Sequence, residues 1–413
     1  MHHRNWLFLG GVVISLLLSV ASLARERPSS AWKVYKLSQR AVASAFAPDS
    51  DEVAFVDLTH PPGLRKSPNE LWTFGVHLAV WNFKTETVME KRQWKFAEKA
   101  PLDPWTTNPI YVRFTASGRQ LIYFDADAIR IFDVPSYKLE KQIPFSWPPG
   151  RNPDGVIPWF IEGFSITPDG PRAAVAITSA AGETGGFVRV YSLLSGRVMR
   201  EWNLGADAGA MSVYGVALSA DGSKAAVSWT RLSPSSDPEG FIPPDFGNVR
   251  VMDVATGRVL TTVSTNYYAG PVLFGPNDTL LTGSINPDHR GYKHDSVKVW
   301  DARAGKLLRE ITNPSVGVHY RLSLSPDGKL LLGYIGTEKA RDNFVDINSE
   351  RFEIWDFASG KSVAESPEVP PLYKTAPHFG DFPPRLQLSS DGRYVLLSWG
   401  GYAEPVVYEV PQP

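Results

Sequence analysis

Short apolar runs broken by turn residues recur along this chain from about residue 31 to its end. Seven times a pair of alternating apolar residues is followed, at a constant offset of three, by Asp or a substitute: Phe46 with Asp49, Phe114 with Ser117, Ile166 with Asp169, Leu218 with Asp221, Phe274 with Asn277, Leu324 with Asp327 and Leu388 with Asp391. The clearest copies read SPDGK (325–329), TPDGP (167–171), SADGS (219–223) and SSDGR (389–393). Asp-Gly between alternating apolar runs is a strong hairpin signal. A second pattern falls between these turns: an apolar residue, an aromatic or Met, a polar residue, then often Gly-Lys or Gly-Arg. Val299-Trp300-Asp301 with Gly305-Lys306 and Ile354-Trp355-Asp356 with Gly360-Lys361 carry it most clearly. Val251-Met252-Asp253 and Val190-Tyr191-Ser192 follow the same form.

Each unit therefore predicts strand, tight turn, strand, variable loop, strand, tight turn, strand. Seven such four-stranded antiparallel units predict an all-β chain, a single seven-bladed β-propeller over residues 30–413. The C-terminus supplies three strands, at 385–388, 394–398 and 405–410, and the N-terminal side supplies one unpartnered strand at 32–37. Pairing that strand into the C-terminal blade closes the ring and removes an exposed sheet edge.

With these motifs the chain resembles the WD-repeat (tryptophan–aspartate repeat) family over nearly everything after Ala31. The resemblance implies a propeller and says little about function, because that architecture hosts many. Two departures stand out. Only Trp300-Asp301 and Trp355-Asp356 keep the name-giving dipeptide, and the Gly-His that usually precedes the first strand is missing. Repeat spacing also exceeds the ~40–45 residues usual for a blade of this family, and bacterial surface propellers with PDG-type turns fit about equally well.

Residues 1–24 differ from the rest. A mildly basic start at His2, His3 and Arg4 precedes an apolar run from Trp6 through Val20, which ends in Ser22-Leu23-Ala24. Small residues at these two positions are what a signal peptidase reads, so the expectation is a signal peptide cleaved after Ala24. The alternative is an uncleaved N-terminal membrane anchor, for which the stretch is just long enough. Either reading places the chain outside the cytoplasm, periplasmic or secreted. The chain holds no cysteine, which excludes disulfides, thiolate metal sites, a cysteine nucleophile and a lipid-modified N-terminus. Packing and strand pairing must hold the fold alone. With 42 basic and 43 acidic residues the net charge is -1, and the nearest approach to a basic cluster, Lys91, Arg92, Lys95 and Lys99, belongs to one outer strand and its loop. Nucleic acid is therefore not an expected partner.

Strand alternation puts first and third turns on one end of a ring, and second turns and inter-blade loops on the other. The first class is short. The extra length lies in second turns (59–76, 230–248, 285–296, 336–351) and inter-blade loops (97–109, 144–159, 367–383). Long loops on a rigid scaffold are where binding usually resides. Trp72, Trp105, Trp147, Trp159, Phe241, Tyr292 and Tyr373 fall in or at the edge of these loops, and such aromatics either anchor an interface or pack the loops onto the ring.

The expected partner is another protein, with carbohydrate as the alternative, and the expected state is a monomer that meets a membrane only through its N-terminal segment. Catalytic signals are weak. No Gly-x-Ser-x-Gly elbow or phosphate-binding glycine loop is present. His289 and His294, flanked by Asp288 and Asp295, could ligate a metal, but Arg290 and Lys293 lie within the same stretch. Loop carboxylates such as Asp154, Glu183, Asp237 and Asp381 could converge on a channel metal, as in lactonase-like propeller hydrolases. The expectation is nevertheless a protein that is not an enzyme and carries no cofactor.

Overall fold

A computed structural model of the chain describes residues 32–59, 72–98, 110–125, 127–148, 159–179, 185–204, 211–231, 245–265, 268–285, 296–312, 318–341, 344–367, 369, 385–398 and 404–411. Residues 32–413 form one compact unit. The repeats fold into seven four-stranded antiparallel sheets. Six blades use consecutive strands, spanning 43–98, 111–144, 159–203, 211–264, 268–312 and 318–365. The seventh is composite: Arg385–Leu388, Tyr394–Ser398 and Val406–Glu409 are completed by the closing strand Lys33–Lys36. Val34 faces Tyr408 and Tyr35 faces Val407, so the ring closes as the repeat pattern predicts.

The second strand of a blade is apolar at successive positions because both of its faces are covered. Leu121 and Tyr123 point into the junction with blade 1, whereas Ile122 and Phe124 point into the junction with blade 3. Ala174 and Ala176 divide from Ala173 and Val175 in the same way. The apolar core is accordingly cut into seven clusters, one for each junction between neighbouring blades. Burial of one Ile, Leu or Phe contributes about 1.5–3 kcal/mol. Each junction holds several such residues, which is how a ring without disulfides stays closed.

The recurring Ser and Asp residues of the motifs build the turns themselves. Ser325 Oγ donates to Asp327 Oδ1 at 2.7 Å and accepts from Leu330 N at 2.9 Å, while Asp327 Oδ1 accepts from Lys329 N at 3.0 Å. Ser219 with Asp221 and Ser389 with Asp391 repeat the pattern. Gly328 adopts φ +71°, and a Cβ there would come within 2.5 Å of Pro276 Cγ in the preceding blade, so both backbone and space require glycine. In the third turn Asp301 Oδ1 accepts from the N–H groups of Arg303 and Ala304, each at 2.8 Å.

A second device repeats at the periphery. In six blades the ladder between third and fourth strands carries a bulge, at the same register in blades 2–6 and two residues farther from the third turn in blade 1. The fourth-strand residue beyond that bulge is Arg92, Lys141, Arg200, Thr261, Arg309 or Ala364. Each of the four cations donates to backbone carbonyls in the third turn of the next blade. Arg92 Nε reaches Tyr137 O at 2.7 Å, Lys141 Nζ reaches Leu193 O at 3.1 Å and Arg200 Nε reaches Val254 O at 3.2 Å. Arg309 donates to the carbonyls of Phe357 and Ala358. These latches satisfy turn carbonyls that the strand ladders leave over.

Three of the expected loops are shorter than the sequence suggests, among them 230–248, where the strands reach in to Arg231 and Asp245. Residues 336–351 continue the second hairpin of blade 6, paired out to Arg341 opposite Phe344. The third strand of blade 1 resumes at Trp72, before the expected loop end at residue 76.

Candidate functional site: the long-loop end of the ring

Every first and third turn connects its strands through three to five residues, from Phe46 to Glu52 or from Asp301 to Leu307 for example. At the other end the chain runs from Thr59 to Trp72, Pro144 to Trp159, Arg231 to Asp245 and Glu365 to Arg385 between strands. The length asymmetry read from the sequence is thus present between the two ends.

The aromatic rim residues fare differently. Trp105, Phe241, Tyr292 and Tyr373 lie outside the described residues, as do His289 and His294. Trp72 opens the third strand of blade 1, with its backbone opposite Glu98. Trp147 is half-buried and meets Phe145 edge-on at 5.2 Å, packed against the junction of blades 2 and 3. Trp159 belongs inside that junction. It is 3% exposed and lies edge-on to Phe187 at 5.1 Å. Trp159, Ile161 and Phe164 enter this cluster together as residues of the inner strand Trp159–Ile166, so Trp159 presents no surface to a partner.

Two hairpins rise at this end. In blade 1 the third and fourth strands continue to the pair Trp72 and Glu98, past the last partner of the second strand, Thr59 opposite Gly75. In blade 6 the second and third strands continue to Arg341 and Phe344, whereas the fourth strand stops at Glu365 opposite Glu353. The composite blade 7 packs against both of these blades, so the raised hairpins stand on either side of it.

The inner strands add features that the motifs did not reveal. Arg385 opens the inner strand of blade 7, its guanidinium 4.4 Å from the Tyr111 ring centroid, and it donates to the Ile110 carbonyl. Both acceptors belong to blade 2, so the arginine links blade 7 to a blade beyond its immediate neighbour. Gln387 Oε1 accepts from Phe46 N at 3.1 Å and ties blade 7 to blade 1. At the short second turn of blade 2, Arg130 bridges Asp125 at 2.7 Å and Asp127 at 2.8 Å. Burial pushes the Asp125 carboxyl up from its ordinary value, and Arg130 with the N–H groups of Ala128 and Asp127 opposes that shift. The arginine also lies near both Trp94 and Tyr123, at 5.8 and 5.7 Å from their centroids. A paired, hydrogen-bonded ion in such a place fixes a turn and leaves little for chemistry. An Asp-x-Asp turn followed by Arg on the next strand is the sequence signal that could have found it.

Among the described residues no group of three or more His, Asp and Glu side chains could hold a metal ion. Asp154, Glu183, Asp237 and Asp381 lie outside the described residues.

No protein-family model and no curated protein sequence matches the chain. Among solved structures it is similar to a chain of the mitotic checkpoint complex, with a TM-score of 0.50 and 16% identity over 89% of this chain and 93% of that one. Hydrazine synthase of Kuenenia stuttgartiensis is also similar, with a TM-score of 0.46 and 17% identity over 69% of this chain and 72% of that one. At such identities the likeness to the checkpoint-complex chain concerns the fold alone, and with the sheet topology it identifies this chain as a seven-bladed β-propeller.

Proposed function

We propose that the chain is an exported, divergent relative of the WD-repeat proteins that serves as an extracytoplasmic interaction scaffold. Its long-loop end engages another protein. The observation that carries the reading is the asymmetry between the ends: three to five residues per turn on one, and long aromatic-bearing segments on the other. A rigid ring presenting loops loses little ordering entropy on binding, which favours affinity. The relation to WD repeats is supported by the two Trp-Asp dipeptides and by the use of one of them, since Trp300 Nε1 donates to Thr282 Oγ1 at 3.0 Å within the blade.

The test compares the full chain with a rim variant carrying Trp105→Ser and Tyr373→Ser, captured against extracytoplasmic extract. The expected result is a specific protein retained by the first and lost by the second, with the unfolding midpoint unchanged. Equal retention by both would remove the rim from the account, and retention of glycans in place of protein would turn the reading to carbohydrate binding.

A further inference from the structure

The end opposite the long loops carries a repeated surface of its own. At the start of the fourth strand a cation is followed by exposed aliphatic side chains: Arg197-Val198-Met199 in blade 3, Arg258-Val259-Leu260 in blade 4 and Lys306-Leu307-Leu308 in blade 5. Shorter copies occur at Lys138-Leu139, at Lys361 with Val363 and at Lys33-Val34 of the closing strand. Of the large exposed hydrophobic side chains among the described residues, all except Leu194 lie on fourth or closing strands, and Leu194 is in a third turn of the same end. Leu308 and Val259 are each 51% exposed. Lys138, Arg197, Arg258, Lys306 and Lys361 form no ion pair among the described residues. The third-turn acids beside them, Asp253, Asp301 and Asp356, are turned back onto their own backbone N–H groups.

Where the chain enters the ring bears on what covers this belt. Lys33 opens the closing strand opposite Glu409, the last residue of its neighbour, so the chain comes in at the belt end. Where the N-terminal segment is retained as an anchor, about eight residues lie between Ala24 and Lys33, a reach of roughly 28 Å when extended. Aliphatic side chains beside lysines and arginines suit the headgroup boundary of an anionic bilayer, where each cation adds attraction and each aliphatic group leaves water.

We propose that this belt seats on an anionic lipid surface, which leaves the long-loop end facing away from it. The chain has no cysteine, so L308C, V259C and E404C can each carry an environment-sensitive fluorophore in the full chain. Glu404 is exposed and precedes a third strand, at the opposite end. Vesicles of phosphatidylcholine are compared with vesicles of roughly three parts phosphatidylcholine to one part phosphatidylglycerol. The expected result is a blue shift and at least about a twofold rise in emission at positions 308 and 259 with the anionic vesicles only. Raising the salt to about 0.5 M should reverse it, and position 404 should not respond.

Co-sedimentation with silent labels at 308 and 259 would mean that the N-terminal segment alone holds the vesicle, and would overturn the proposal. Equal shifts at all three positions, or equal shifts with neutral vesicles, would overturn it as well. A shift that grows with protein concentration in the absence of lipid would assign the belt to a second copy of the chain instead.

Discussion

The hydroxyl of Tyr35 donates to Glu409 Oε2 at 2.8 Å, joining the closing strand to the end of the chain across a separation of 374 residues. Lys84, from the third turn of blade 1, donates to the same hydroxyl at 3.0 Å and pairs with Glu409 at 3.4 Å. Tyr35 faces Val407 in the composite blade, the place that the latch cations hold elsewhere, so the junction between the last and first blades is clasped from the other side. Burial pulls the Lys84 pKa down, but hydrogen bonds with Tyr35 and Tyr394 outweigh it and raise the amine above its ordinary value.

Removing only the hydroxyl tests that clasp. Tyr35→Phe keeps the ring in the apolar junction and loses the hydrogen bonds, at a cost of about 1 kcal/mol. The urea midpoint should fall accordingly. An unchanged midpoint would mean that the Lys84–Glu409 pair holds the strand without Tyr35.

The inter-blade latches make an addition testable as well as a removal. Arg309→Met should lower stability by about 1 kcal/mol, because the carbonyls of Phe357 and Ala358 lose a charged donor. Blade 4 has Thr261 at the latch position, with Gly305 of the next third turn close by. Arg200 stands near Gly257 in the same way, so Thr261→Arg has room to reach the turn carbonyls. It should raise the urea midpoint, and a lowered midpoint would contradict the reading of this position.

The tryptophan of the motif is expected to matter for stability more than for recognition. Trp300 is 8% exposed and Thr282 2% exposed, and the bond between them is buried. Trp300→Phe leaves a buried hydroxyl without this donor and some volume unfilled, which should cost about 2–3 kcal/mol by chemical denaturation. Partner capture at a temperature where the variant is folded should be unaffected.

Acid should loosen the short-turn end first. Hydrogen bonds from Ser219 and from the Ser223 backbone hold the Asp221 carboxyl well below its ordinary range. The N–H groups of Ala304 and Arg303 do the same for Asp301, and at Asp391 the upward push of burial is outweighed by Ser389 and Arg393. A carboxyl depressed in the folded state contributes stability that is complete above its unfolded value near 3.9 and is lost as pH falls through the folded value. Thermal unfolding followed from about pH 5 to about pH 2 should show the midpoint level at first and then declining below about pH 4. Asp221→Asn should flatten part of that decline.

The fold was legible because its information is local and repeated. Asp-Gly turns at a constant offset mark each hairpin, and the spare strand at 32–37 finds its partner by the counting of strands alone. The latches were less visible. Arg200 and Arg309 each follow a third-turn glycine by four residues, yet their acceptors belong to the next blade, which no local pattern names. Trp159 follows a Pro-rich stretch and so falls at the edge of an expected rim loop, but its alternation with Ile161 carries it into the junction of blades 2 and 3. The hairpin at 336–351 lacks a clear apolar alternation in the sequence, with Thr337, Glu338 and Lys339 opposite Ser349, Ile347 and Asp346, so the strand pattern does not announce it.

Site-specific photocrosslinking probes the proposed encounter of the long-loop end with a protein partner. A photoreactive residue is placed at Tyr373 on that end, and in a second variant at Asp327 in a first turn of the other end. Both full-length variants are irradiated in their native extracytoplasmic surroundings. The expected result is a discrete protein adduct from position 373 and none from position 327. Adducts from 327 alone, or none from either in folded protein, would contradict the scaffold reading of the long-loop end.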